Sequence, residues 1–164
     1  PFWAKDAKKA YSTINARAET VRTAPAFRDA WKRGQRCLVP ASGWYEWVDE
    51  GGTKKQPYFI QDAAGQNPIM FAGLFSLWTG PEGAELATYT VITTDALGEI
   101  RKIHHRSPRV MMPGDWQAWL AGTVEEAVAY LEPEQVPLRV HQVGQAVGNP
   151  RNQGEQLVTP LNPA

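Results

Sequence analysis

The sequence predicts an α+β fold dominated by antiparallel sheet, and three observations carry that reading. Segments rich in β-branched and aromatic residues recur between residues 36 and 93, separated by Gly-, Pro- and Asp-containing turns. Helical signals are short and lie on either side of that stretch. A last extended segment, 136–143, follows the helices.

In chain order, residues 24–31 read as a helix. Pro25 sits in its first turn, Phe27, Ala30 and Trp31 share a face, and Gly34 ends it. Residues 36–40 and 44–48 read as strands, and the turn Asp49-Glu50-Gly51-Gly52 feeds a further strand over 57–60 as a hairpin. Residues 69–78 and 86–93 form the next pair, turning at Gly80-Pro81-Glu82-Gly83. Val110-Met111-Met112 is another strand. Residues 115–120 make a short amphipathic turn stopping near Gly122. Thr123-Val124-Glu125-Glu126 is a capping box opening a helix that runs through Tyr130 and stops by Pro133. Residues 144–154 form a Gly/Asn-rich loop.

A chain of 164 residues is long enough for one domain with a real core, here taken as 1–164. No apolar run approaches the roughly 20 residues of a membrane span, and no charged-then-apolar leader opens the chain. One cysteine excludes an internal disulfide, and three histidines make a structural zinc site a poor fit, so neither metal nor cofactor is expected. The expectation is a monomer in the cytoplasm. The net charge of zero conceals an uneven distribution. Residues 1–36 hold nine Lys/Arg against Asp6, Glu19 and Asp29, nine less three giving +6. Arg101, Lys102, Arg106 and Arg109 form a second basic cluster. If the two meet in space they make an anion-binding surface; otherwise they are solvated faces.

Three stretches hold polar residues that a fold alone does not require. In Gly43-Trp44-Tyr45-Glu46-Trp47, alternation puts Trp44 and Glu46 on one face of a strand and Tyr45 and Trp47 on the other. A carboxylate beside aromatics has a raised pKa and suits proton transfer near neutrality; the alternative is an exposed glutamate on an edge strand. In Ile14-Asn15-Ala16-Arg17-Ala18-Glu19-Thr20, Asn15 and Arg17 project to one face. Asn15 there has the chemistry to stabilise a developing oxyanion and Arg17 to hold a phosphate, unless both belong to a polar strand edge. Glu19 reads as support, paired with an arginine. In Ile103-His104-His105-Arg106-Ser107-Pro108, neighbouring histidines on an extended segment point apart, which disfavours a two-histidine metal site. Cys37 is internal, on a strand, and reads as core. Trp3 and Phe2, amid Lys5, Lys8 and Lys9, suit either stacking on an unpaired base or anchoring a terminus.

In this order, these stretches resemble the SOS response-associated peptidase (SRAP) family of abasic-site processing proteins. Pro1-Phe2-Trp3-Ala4-Lys5-Asp6 is similar to the family's Trp-bearing loop. His141-Gln142-Val143, Ala146-Val147-Gly148-Asn149 and Asn152-Gln153-Gly154 are similar to its closing segment. The resemblance implies a curved, barrel-like sheet with peripheral helices. It implies a partner, single-stranded DNA containing abasic sites, in a bacterial cytoplasm. It also implies Glu46, His104 and Asn15 as catalytic residues, with Trp3, Arg17, Trp47, Thr93 and Arg106 along the DNA. The family's nucleophile is a cysteine following the initiator Met, and its name implies autoproteolytic exposure of that residue. This sequence opens at a point resembling the inside of the family's domain, so the expectation is that an N-terminal segment with the cysteine is missing. His105 departs from the family's frequent aspartate. Two other readings remain at this point: an inactive DNA-binding relative, and a thiol peptidase using Cys37 and His104.

Overall fold

The computed structural model describes residues 1, 3–4, 12–64, 68–80 and 83–162. Phe2, Lys5, Asp6, Lys8 and Lys9 of the N-terminal loop, and Pro81 and Glu82 of the expected turn, lie outside the described residues. Among the described residues no helix is long and apolar enough to cross a membrane.

The architecture is α+β and mainly antiparallel, as the sequence predicts, and among the described residues its strands form two hydrogen-bonded sheets. The larger contains β1 (Asn15–Arg17), β6 (Glu85–Asp95), β5 (Ile69–Thr79) and β2 (Arg36–Ala41) in that order. On it, β7 (Arg106–Pro108) pairs with β6, and β8 (Val110–Met111) pairs with β5. The smaller sheet is β3 (Trp44–Val48), β4 (Gln56–Asp62) and β9 (Leu138–Gln142). Only β1 with β6 is parallel among the described pairings.

Alternation along the strands divides the larger sheet into two functional faces. One carries Ala16, Ala72, Leu74 and Ile92 against Trp31, Trp119, Ala127 and Leu131. These last four come from α1 (Arg28–Lys32), α3 (Trp116–Ala121), α4 (Val124–Ala127) and the 3-10 turn that follows it. The other face carries Val39, Phe71 and Val91, on which the smaller sheet lays Trp44 and Leu138. Trp44 meets Phe71 edge-on with ring centroids 5.7 Å apart. Ile60 packs with Ala96 and with Ile100 of α2 (Gly98–Ile103). The helices thus cover one side of the larger sheet, and the smaller sheet packs on part of the other, the cleft side.

Several local expectations change. Regular helix begins only at Arg28, because the main chain over residues 20–27 closes turns in which Thr20 O accepts from the N–H groups of Thr23 and Ala24. The β3–β4 loop runs from 49 to 55, longer than a tight hairpin, with the Asp49 carboxylate accepting from Gly51 N–H and Gly51 at φ +79°. Helix α2 has no counterpart in the sequence reading, being too short for hydrophobic periodicity. The capping box is as expected: Glu126 N–H donates to Thr123 Oγ1 at 3.1 Å and Thr123 N–H to Glu126 Oε2 at 2.7 Å.

Two arginines are interior braces. Arg36 is buried, donates to the carbonyls of Trp119 and Gly122, and lies over the Trp119 ring. It thereby satisfies carbonyls at the end of α3. Arg109 corrects the reading of residues 101–109 as a basic surface. It is 4% exposed and donates to Tyr130 O, Val110 O and Glu134, because β7 and β8 draw it beneath the sheet.

Candidate functional site

Strand register places most of the chemically notable residues on the cleft side of the larger sheet. Asn15 stands beside Val91 and Arg17 beside Thr93, while Ala16 between them is fully buried on the helix side. Thr93 also faces Pro108, and Asp95 faces Arg106. Asn15, Arg17, Thr93, Asp95 and Arg106 therefore project from one face.

From the smaller sheet, Glu46 enters the same cleft. It shares the inward face of β3 with Trp44, as alternation predicts, and stands beside Tyr58 on β4, which in turn stands beside Gln142 on β9. Tyr58 donates to Glu50, and Gln142 donates to the Tyr58 hydroxyl at 3.0 Å, so Tyr58, Glu50 and Gln142 form a hydrogen-bonded group on the strands next to Glu46. Burial pushes the Glu46 carboxyl up from its ordinary value; the nearby His104 ring and the Trp44 indole pull against it. The indole Nε1 is buried without an acceptor in hydrogen-bonding geometry, so its help is that of an oriented dipole near the carboxylate.

His104 follows α2 in extended conformation, φ −146° and ψ 147°. Its Nδ1 lies 2.9 Å from Arg106 O and 3.1 Å from Arg106 N. His105 adjoins it with ring centroids 4.5 Å apart, which corrects the expectation that the two rings point apart. Strand alternation does not hold where a helix ends in a bend. Among the described residues no group of three or more His, Cys, Asp or Glu side chains is placed to hold a metal.

Arg106 is occupied by protein partners. Its Nη1 donates to Glu19 at 2.6 Å and Asp95 at 2.8 Å, and its Nη2 to Glu19 at 3.1 Å and Thr93 O at 2.6 Å. Burial alone would push the guanidinium down; the hydrogen bonds to Glu19 and Asp95 outweigh it and raise it. The same pairing pulls Glu19 below its ordinary value. The support role read for Glu19 therefore has Arg106 as its arginine. The phosphate contact expected of Arg106 has no free terminal nitrogen in this arrangement. Arg17, exposed on β1, has a more open setting.

Two aromatic residues of the sequence reading lie away from the cleft. Trp47 is 42% exposed on the opposite face of β3, beside Tyr45 at 6.2 Å. Trp3 is half exposed and lines a groove of about 700 Å³ with Phe27, Leu74 and Trp78, largely on the helix side of the larger sheet. Cys37 faces Gly73 across β2 and β5, and burial pushes its thiol up to about 11. A neutral thiol is a poor nucleophile, which counts against a Cys37 peptidase. Sequence reasoning missed Asp95; the parity shared with Thr93 was the signal that could have found it.

This two-sheet α+β scaffold, with a carboxyl, an imidazole, an amide and an arginine around one cleft, has a recognised family. The chain belongs to the SOS response associated peptidase (SRAP) family, whose model matches residues 1–150. It is 36% identical to the abasic site processing protein YMR114C of Saccharomyces cerevisiae, over 98% of this chain and 45% of that protein. It is 37% identical to the abasic site processing protein YedK of Escherichia coli K12, over 90% of this chain and 67% of that one. The chain thus spans about half of the yeast relative. A crystal structure of a protein from Bacteroides thetaiotaomicron superposes with a TM-score of 0.85 at 27% identity, covering 98% of this chain and 72% of that one.

Proposed function

We propose that this chain supplies the acid–base and strand-holding groups of a protein that captures abasic sites in single-stranded DNA. The opened abasic sugar presents an aldehyde. An N-terminal cysteine, the nucleophile that the family resemblance implies and one not among these 164 residues, adds its α-amine to the aldehyde carbon, and water leaves as the imine forms. The thiol then adds to the imine carbon, its proton passes to nitrogen, and a thiazolidine closes. Glu46 carries protons in closure and reopening, His104 assists sugar ring opening, and Asn15 hydrogen-bonds the developing hydroxyl. Arg17 holds phosphate, and Thr93 stands beside it. Trp47 and Trp3 are stacking positions for the strand beyond the cleft. Autoproteolytic release of the cysteine would belong to the same site.

The observation that carries this reading is the half-buried Glu46 carboxyl, raised by burial and within electrostatic reach of His104. A carboxyl raised in this way holds a proton closer to neutrality, as ring closure and reversal require. The test uses a polypeptide carrying a cysteine at its amino terminus ahead of Pro1, and abasic single-stranded DNA resolved on denaturing gels. Glu46→Gln should slow both adduct formation and its reversal by about 10²–10⁴-fold. Parent rates in both directions would reduce Glu46 to a structural residue. The second reading is a DNA-binding relative without chemistry, in which the site survives without a nucleophile. The gene's second codon separates the two, since only a cysteine there supports capture.

A further inference from the structure

We infer that Glu19 is a positioning residue for His104, acting through Arg106. The linkage runs through four groups. The Glu19 carboxylate takes both terminal nitrogens of Arg106, at 2.6 and 3.1 Å. The main chain of that arginine presents its N–H and its C=O to one ring nitrogen of His104, at 3.1 and 2.9 Å. Glu19 lies just beyond β1, which carries Asn15 and Arg17, so one ion pair ties the amide-bearing strand to the imidazole.

The local structure explains why such a tie is needed. Arg106 begins β7, a three-residue strand, and its pairing with Asp95 is the last of the β6–β7 ladder. A ladder end frays unless something else holds it. Here the residue's own side chain, 14% exposed, closes back onto Glu19, Asp95 and Thr93 O and pins its peptide groups. With those groups fixed, His104 Nδ1 has a partner in every protonation state. When Nδ1 is protonated it donates to Arg106 O, leaving Nε2 to accept or release a proton. When it is not, it accepts from Arg106 N–H. Among the described residues, the titratable groups beside the ring include Glu46 on β3 and the adjoining His105. The inference rests on His104 being the working acid–base group of the proposed function, and the experiment keeps the two separate.

Long-range ¹H–¹⁵N spectra of histidine-labelled protein report the tautomer of each ring; His104→Gln assigns its signal. His141, whose Nε2 lies 2.8 Å from Val158 O, serves as an internal control for the fold. Glu19→Ala should leave the His141 pattern unchanged and convert the His104 pattern to an averaged mixture of tautomers. Glu19→Gln, which keeps an acceptor but no charge, should fall between. If Glu19→Ala also disturbs His141, the Glu19→Gln spectrum decides. A His104 pattern identical to the parent, with His141 intact, overturns the inference. In the cysteine-bearing polypeptide, Glu19→Ala should slow capture of a cyclic abasic site by about tenfold, and of a preformed open-chain aldehyde far less. Altered His104 spectra with unaltered capture would leave the linkage standing and remove His104 from the proposed chemistry.

Discussion

Trp44 and Glu46 share the inward face of β3, and the buried Trp44 indole N–H has no acceptor in hydrogen-bonding geometry while the Glu46 carboxyl beside it is raised by burial. A carboxyl raised in the native state binds protons there more tightly than in the unfolded chain, so stability falls as pH rises through the raised value. Its contribution is fully present only below the ordinary value near 4.5. Glu46→Gln should therefore melt higher than the parent at pH 7, and the gap should close as the pH falls below 4. Thermal melts across that range check it; a constant gap would mean that Glu46 titrates normally.

Arg17 and Arg106 should behave differently on DNA. Arg17→Ala should weaken single-strand binding and reduce the slope of log affinity against log salt by about 0.7, the increment for one phosphate contact. Arg106, engaged by Glu19 and Asp95, should change affinity with little change in slope. Equal slope losses in both variants would show that Arg106 leaves its carboxylates to meet phosphate.

Cys37 should be nearly inert. With its thiol pushed up to about 11, the thiolate is only ~10⁻³ of the total at pH 8, against roughly a quarter for an ordinary cysteine. Labelling by a thiol reagent should be at least about 100-fold slower than for a free thiol, and unfolding should restore the ordinary rate.

Gly43 precedes β3 where the chain passes closest to β4. A Cβ there would lie 2.5 Å from the Phe59 ring and nearer still to Ile60 O, a main-chain atom unable to step aside. Gly43→Ala should cost about 1–3 kcal/mol or more and disturb Glu46, three residues on. Denaturant unfolding combined with the capture assay would register both effects.

Thr123→Ala provides the contrast. Loss of the capping box should cost about 1 kcal/mol, lowering the melting temperature, yet leave capture rates unchanged because α4 packs on the other side of the larger sheet.

The sequence showed the strands with strong β-branched and aromatic content, and period-two alternation alone put Asn15 with Arg17 and Trp44 with Glu46. It could not show how the strands divide into two sheets, since pairing partners such as Glu46 and Tyr58 are fixed by tertiary packing. Nor could it separate Arg109 from Arg106, because the burial of one beneath the sheet and the pairing of the other with Glu19 and Asp95 depend on how β7 and β8 turn. The roles of Glu46 and His104 came from resemblance; their electrostatic contact came from the fold.

The alternation of β6 has a consequence for how the protein fails. Ile92 packs with the tryptophans of the helical layer and Thr94, of the same parity, is buried, while Thr93 and Asp95 project from the other face. A slip of one residue would exchange the two sets, driving Asp95 into the buried place of Thr94 and turning Ile92 out of the tryptophan-lined core. No partly shifted arrangement both keeps the core and keeps the reactive face. Misassembled molecules should therefore be unstable as well as silent, and fall to proteolysis instead of persisting as folded decoys.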